Sequence, residues 1–338
     1  MTTTATRPAY RNRLRRLALA AAVVCATVAT AACSAIHAPE SPPPTTTATD
    51  PQPPGVDWSP SKEPAPAVDS CNATASLPPD PMPPRGQMPP GSSMDAIARQ
   101  GVLTVGLDIG SNLFSFRDPI TGNVEGFDVD IAREVARDIF GDPNRVAFRI
   151  LTADERFTAL ENRQVDLVVN TLSITCDRLA DIAFSTVYYE ASQRILALRS
   201  SPIESVDDLS GKRVCVARGT TSIGRLQQQV PAAKLVSVAT WADCLVLLQQ
   251  SQVDATSTDD AILAGLASQD PYVHIVGESL STEPYGIGIN KDEPDLVRFV
   301  NGTLARIRSD GTWFAIYNHW LSNPLGQAPY PPQATYRQ

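Results

Sequence analysis

The sequence predicts an α/β protein of two lobes joined by two chain crossings, with a cleft between the lobes. Three observations predict it. Short β-branched runs alternate with segments of helical period, which calls for largely parallel sheets with helices on both faces. The alternation occurs twice, over residues 95–185 and again over 199–280. Two extended segments, 186–198 and 280–289, lie between the halves and carry the chain across. Two crossings make a hinge, and a hinge lets lobes close on something held between them. With 338 residues, 43% of them hydrophobic and 6% aromatic, the chain has material for two cores.

The chain opens on a targeting pattern. Arg7, Arg11, Arg13, Arg15 and Arg16 precede an apolar run, Leu17 to Ala32. That run is short for a membrane span and suits a signal sequence. Thr30-Ala31-Ala32-Cys33 resembles a bacterial lipobox, which implies a signal peptide over 1–32 and lipid on Cys33. The protein is then expected on the extracytoplasmic face of a membrane. Plain secretion, or an uncleaved anchor, is the alternative. Those five arginines are the only charges in the first 32 residues; 28 Lys+Arg less these five leaves 23 against 36 Asp+Glu. So acidic a body argues against nucleic acid or an anionic membrane surface as partner. An anionic ligand would need a local cationic pocket.

Residues 33–94 read as a tether. Seventeen of the 29 prolines fall between Pro39 and Pro90, and no helical or strand period survives there. Such a segment favours extended polyproline II. Regular structure starts with a short helix at Met94–Gln100 and a strand at Val102–Asp108. An amphipathic helix follows Gly126 and runs to Phe140, with Val129, Ile131, Val135 and Ile139 at helical spacing. Val146–Leu151 reads as a strand, Glu155–Arg163 as a helix and Val165–Asn170 as a buried strand. In the second half Arg213–Ala217, Leu235–Ala239, Asp254–Thr258 and Tyr272–Val276 read as strands. Helices alternate with them, from Gly219 to Gln229, at Ala242–Gln250 and at Asp260–Ala267. Two helices, Pro294–Arg308 and Thr312–Leu321, finish the fold. Lobe 1 is thus expected over 95–188 and 286–322, lobe 2 over 193–283, and a loose tail over 323–338.

The stretch 153–178 carries the strongest chemical signal. It places a polar turn, Asn170 to Thr175, just past the end of a strand, with Arg156 and Arg178 on either side. Open α/β sheets bind ligands beyond the carboxyl ends of their strands. The arginines suit a small acidic amino acid.

Several motifs match one family together. GFDVDIAREVA (126–136), VDLVVNTLSITCDRLADIAFS (165–185), GKRVCVARGTTS (211–222), VDATSTDDAILAG (253–265) and IRSDGTWFAIYNHWL (307–321) resemble the polar amino-acid-binding proteins of ABC importers, the family-3 solute-binding group. The resemblance covers residues 95–322 and is nearest to the actinobacterial glutamine/glutamate-binding lipoproteins. It implies a type II periplasmic-binding-protein, or Venus-flytrap, fold. It also implies a free amino acid as ligand, and as partner an ABC permease with its cytoplasmic ATPase. A monomer is expected, without cofactor or metal.

The resemblance assigns roles. Arg178 matches the arginine that takes the ligand's α-carboxylate, a task that suits a planar guanidinium fork. Ser173 would serve both α-groups, and Thr171 the α-ammonium through its carbonyl. Asp259 matches the ammonium-binding aspartate, leaving Asp260 as the expected cap of the next helix. Thr220 and Thr221 follow Gly219 at a helix start, where free N–H groups attract a carboxylate. Arg156 has the spacing of a side-chain-binding arginine in aspartate/glutamate-specific relatives. Asp108, Arg218 and Phe114 are further side-chain candidates. Asp108 would repel a second carboxylate or accept from an amide, so the expectation is glutamate or aspartate, with asparagine or glutamine open.

Six cysteines are present. Cys25 would leave with the signal and Cys33 would carry lipid, so Cys71, Cys176, Cys215 and Cys244 remain. An even number outside the cytosol suggests disulfides. Cys215 in a strand and Cys244 in a helix of one lobe suggest a 215–244 bridge, which leaves 71–176; four cysteines allow three pairings. His37, His274 and His319 lie far apart and accompany no nucleophile motif, so no enzyme is expected. A lipoprotein that reports an amino acid to a membrane signalling protein remains an alternative, and a dehydratase-type enzyme on the same fold a remote one.

Overall fold

A computed structural model describes residues 51–62 and 71–337. The signal peptide expected over residues 1–32 and the lipid expected on Cys33 lie outside the described residues.

Strand β1 (Ala75–Ser76) precedes helix α1 (Ser93–Gln100). Ser92 caps α1 by accepting from the Asp95 N–H, and Gly101 ends it in the left-handed conformation. Then come β2 (Leu103–Leu107), β3 (Gly110–Ser111), β4 (Ser115–Arg117) and β5 (Val124–Glu125). Helix α2 (Phe127–Phe140) buries Phe127, Ile131, Val135 and Ile139, a stripe at helical period that faces the core. It starts so close to the β3–β4 turn that a Cβ on Gly126 would lie 2.2 Å from the Phe114 carbonyl oxygen, which only glycine avoids. Strand β6 (Val146–Ile150), helix α3 (Arg156–Glu161), β7 (Leu167–Val168) and β8 (Ala183–Phe184) complete the first pass through lobe 1.

The chain crosses on β9 (Tyr189–Leu198). Lobe 2 then runs β10 (Arg213–Ala217), α4 (Thr221–Gln229), β11 (Lys234–Val238), α5 (Trp241–Gln249), β12 (Ala255–Asp259) and α6 (Asp260–Ala267). It returns on β13 (Val273–Tyr285) to β14 (Gly288–Ile289), α7 (Pro294–Ser309), α8 (Thr312–Trp320), α9 (Ser322–Leu325) and β15 (Thr335–Tyr336).

Each lobe holds a five-stranded sheet, ordered β6-β2-β7-β14-β8 in lobe 1 and β11-β10-β12-β9-β13 in lobe 2. The β2, β6 and β7 pairings are parallel, as are those of β10 with β11 and β12. The strands of the crossing segments, β9, β13 and β14, add on antiparallel. The sheets are therefore mixed, because each crossing segment joins the sheet it leaves or enters. Tyr189 pairs with Tyr285 where the two crossings run side by side. Their rings join Phe114, Phe127, Tyr188, Trp313 and Tyr317 in an aromatic core under the hinge. Such pairs add to area burial by about 0.5–1.5 kcal/mol each.

The tether and tail differ from expectation. Residues 71–92 lie on lobe 1. Ser76 is buried, donates through Oγ to the Phe184 carbonyl and accepts from Asn301 Nδ2. Met82 fills the space beside Gly302, and Arg85 pairs with Asp138. The tail, read as loose, returns to pair β15 with β1 in parallel register. Residues 55–62 lie on lobe 2, with Asp57 bridging Ser237 through both backbone groups and Val56 packed on that lobe's core. Proline-rich composition hid this, since contacts so far apart in sequence leave no local period.

Candidate functional site

The turn beyond β7 is held from two sides. Thr171 has a φ of 40°, a left-handed value that strains a β-branched residue. Asp128 in the first turn of α2 supports it, accepting the Thr171 N–H at 2.8 Å and the Tyr188 hydroxyl at 2.8 Å. On the other side the Ile174 N–H donates to the Pro284 carbonyl and the Gly286 N–H to the Leu172 carbonyl. These bonds fix the turn to the end of β13, so its shape is set before any ligand arrives.

Both arginines of lobe 1 reach lobe 2. Arg156 is buried, donating Nε to the Ala153 carbonyl, Nη1 to Asn170 and Nη2 to the Gly219 carbonyl at 3.0 Å. Arg178 donates Nη1 to the Ser173 carbonyl and Nη2 to the same Gly219 carbonyl at 3.1 Å. Its guanidinium stacks 5.6 Å from the Phe157 ring centre. Burial, then the charge of Arg178, lowers Arg156 to about 9, which leaves it cationic at neutral pH.

Lobe 2 supplies the opposite wall. Thr220 stands at the start of α4 and spends its hydroxyl on the Ala217 carbonyl. The first-turn N–H groups of α4 thus have no side-chain cap. Thr221 Oγ1 donates to Glu283, a buried carboxylate that Arg225 neutralises at 2.7 Å. Asp259 ends β12 and accepts the Tyr285 hydroxyl at 2.6 Å. Burial first, then the charge of Glu283, raises its carboxyl well above the usual range, against the pull of the Tyr285 bond. Asp260 is the first residue of α6, not its cap, and accepts from Ser192 across the sheet.

These walls face one another across about 250 Å³ of space that is partly open to solvent and lined mainly by polar side chains. Arg156, Thr171, Ser173, Arg178, Thr220, Thr221 and Asp259 all line it, as the sequence reading gathers them. Ser222, Trp241, Thr258 and Ile262 line it too and were not anticipated. Two cations and one carboxylate face the space, so the lining carries a net positive charge.

Three candidates stand elsewhere. The Phe114 ring is fully buried in the aromatic core. Asp108 does not line the cavity; its carboxylate accepts from the Gly110 and Ser111 N–H groups and the Ser111 and Ser115 hydroxyls. Arg218 does not line the cavity, and its Nη1 donates to the Gly55 carbonyl. Asp128 is the functional residue that sequence reasoning missed. An acid in a first helical turn ordinarily reads as a dipole partner, so the motif gives no sign that it supports Thr171. Both disulfides form, Cys215–Cys244 inside lobe 2 and Cys71–Cys176 from the N-terminal segment to the turn. Among the described residues no group of His, Cys, Asp or Glu is placed to hold a metal.

Two expected results follow from this geometry. A Cβ on Gly219 would lie 2.7 Å from the Asp154 backbone of lobe 1. Gly219→Ala should therefore obstruct closure and weaken ligand binding at least about tenfold, with the lobes still folded, since an L-residue at its φ of 71° adds only about 1–2 kcal/mol of local strain. Titration calorimetry together with a melting curve reads both. Burial raises the Asp128 carboxyl to about 7. The folded protein then holds a proton between about pH 4 and 7 that the unfolded chain has released, so stability falls as pH rises through that window. The full loss is on the order of 4 kcal/mol. Asp128→Asn removes it, so melting temperatures of wild type and variant should diverge as pH rises from 4 to 7.

The comparisons agree with this architecture. Residues 103–323 match the model of the bacterial extracellular solute-binding proteins, family 3. The chain is 34% identical over 230 residues to the ABC transporter glutamine-binding protein GlnH of Bacillus subtilis, covering 68% of this chain and 84% of that one. It is 29% identical over 249 residues to the glutamate-binding protein GluB of Corynebacterium efficiens, covering 70% and 83%. A crystal structure of the P235GK mutant of ArgBP from T. maritima superposes with a TM-score of 0.64 at 31% identity, covering 68% of this chain and 99% of that one. With its two mixed sheets, paired crossings and lined cleft, the chain belongs to the family-3 extracellular solute-binding proteins, which bind and do not catalyse.

Proposed function

We propose that this protein captures a free acidic amino acid, L-glutamate or L-aspartate, outside the cytoplasm and delivers it to an ABC permease driven by a cytoplasmic ATPase. The observation that carries this reading is the charge of the cleft. Arg156 and Arg178 face Asp259 across the cavity. An acidic amino acid brings two carboxylates and one ammonium, the complement of that set. In the proposed pose Arg178, Ser173 and the N–H groups of Thr220 and Thr221 take the α-carboxylate. Asp259 takes the ammonium, with the Thr171 carbonyl and Ser173. Arg156 takes the side-chain carboxylate. An ammonium beside Asp259 would also reverse the forces that raise its carboxyl.

A neutral amide is the second reading, favoured by the 34% identity to a glutamine-binding protein. Against it, an amide brings only one carboxylate to a cleft that two guanidiniums line. Asp108, the residue that would have welcomed an amide, does not line the cavity and spends its carboxylate on Gly110, Ser111 and Ser115. We place the protein at the membrane through lipid on Cys33, supported by the arginine-rich start, the apolar run and Thr30-Ala31-Ala32-Cys33.

A thermal-shift panel of the chain from Ser34 onward tests the reading. At a hundredfold excess over Kd a ligand adds about 2.7 kcal/mol of stability. That should raise the melting temperature by several degrees for glutamate and aspartate, less for their amides and not for arginine or leucine. A larger shift with arginine than with any acid or amide would overturn the acidic reading.

A further inference from the structure

We propose that Asn112 of lobe 1 and Gly265 of lobe 2 form a closure latch outside the ligand cavity, and that this contact helps to set affinity for whatever amino acid the cleft holds. Asn112 Nδ2 donates to the Gly265 carbonyl at 3.2 Å and to the Ser268 hydroxyl at 2.8 Å. The backbones also approach closely. A Cβ on Gly265 would lie 2.2 Å from the Asn112 carbonyl oxygen and 2.9 Å from its carbon. Gly265 lies within α6, where alanine is the better helix former. Its φ is not positive, so backbone freedom does not call for glycine there. The approach of Asn112 does. Gly110, on the same turn, faces Thr240 and Ala242 at the start of α5.

The turn that presents Asn112 belongs to lobe 1. At the start of α2 the Phe127 and Asp128 N–H groups donate to the Leu113 and Phe114 carbonyls, both at 2.9 Å. Leu113 has a φ of 75°, a left-handed value that strains a residue with a side chain. The buried Asp108 carboxylate holds the turn in this shape through its bonds from Gly110, Ser111 and Ser115. Asp108, which does not line the cavity, is thus a positioning residue for Asn112. Neither Asn112 nor Gly265 lines the cavity, but Trp241 and Ile262, on the two helices that the turn meets, do. Moving the lobes apart breaks the Asn112 bonds, and closure makes them. A contact made only in the closed form raises the population able to hold ligand, so it strengthens every ligand by the same factor.

Given the amino-acid reading above, Gly265→Ala and Asn112→Ala test this in the chain from Ser34 onward. Both leave the cavity lining intact. Glutamate, aspartate, glutamine and asparagine are titrated into each variant, and release is followed by stopped flow. Asn112→Ala should weaken every amino acid that wild type binds by roughly fivefold, for two lost hydrogen bonds. Gly265→Ala should weaken them at least about tenfold, since its methyl group has no room in the closed form. Ratios between ligands should stay as in wild type, and the loss should appear as faster release. A melting curve checks that Gly265→Ala is folded; if it is not, Asn112→Ala carries the same test. Unchanged release from a folded variant, or a loss confined to one ligand, overturns the proposal. If wild type binds none of the four, the ligand reading fails by itself, and X-ray scattering without amino acid decides the latch. A larger radius of gyration for Gly265→Ala than for wild type would then keep it, and equal radii would overturn it.

Discussion

Arg178→Ala should abolish measurable binding of every amino acid. Its Nη1 is held by the Ser173 carbonyl and its Nη2 already spans the cleft to Gly219, so the fork is aimed before a ligand enters. Every free amino acid carries an α-carboxylate, and this guanidinium is proposed to meet it. Removing one partner of a desolvated, hydrogen-bonded charge pair costs about 3–5 kcal/mol, or roughly a hundredfold to several thousandfold in affinity. Arg178 is only half buried, so the variant should fold and melt close to wild type. Calorimetric titration with glutamate, aspartate and glutamine checks the loss. Retained binding of any of them would place the α-carboxylate elsewhere.

Arg156→Ala should divide the ligands. The side chain is almost wholly buried and held by three carbonyls, Ala153, Asn170 and Gly219. A cation fixed so deep can discriminate, because a ligand carboxylate forms a charge-assisted bond with it that a neutral amide does not. Glutamate and aspartate should weaken about a hundredfold or more, and glutamine and asparagine by much less. Equal losses would mean that Arg156 builds the cleft without reading the side chain. A drop in melting temperature is expected beside the affinity change, since three carbonyls lose their donor.

The two-lobe architecture was legible because its signals are local. Helical period, strand period and the doubled alternation need no knowledge of distant contacts. The cavity residues were legible in so far as they sit on motifs at strand ends, as Arg178, Thr221 and Asp259 do. Residues whose roles arise from packing escaped. Phe114 is apolar and near the cleft in sequence, yet its ring meets Phe127 and Tyr189 in the core. Asp108 has the charge for a ligand contact, but the turn at Gly110–Ser111 claims its carboxylate. Arg218 adjoins the site in sequence, yet it does not line the cavity and its guanidinium is bonded to the Gly55 carbonyl. Asp128 and Trp241 carried no chemical flag. One supports a strained backbone from a neighbouring helix, and the other lines the cavity from the first position of α5. The docking of residues 55–62 and 71–92 depends on partners more than fifty positions away, which proline content cannot report.

Titration calorimetry of the chain from Ser34 onward decides the matter most directly. The ligands are L-glutamate, L-aspartate, L-glutamine, L-asparagine and γ-aminobutyrate, which lacks the α-carboxylate. One site per chain is expected, with glutamate or aspartate bound at least about tenfold more tightly than either amide, and no heat from γ-aminobutyrate. The absence of binding by all four amino acids, or binding of γ-aminobutyrate as tight as that of glutamate, would contradict this expectation.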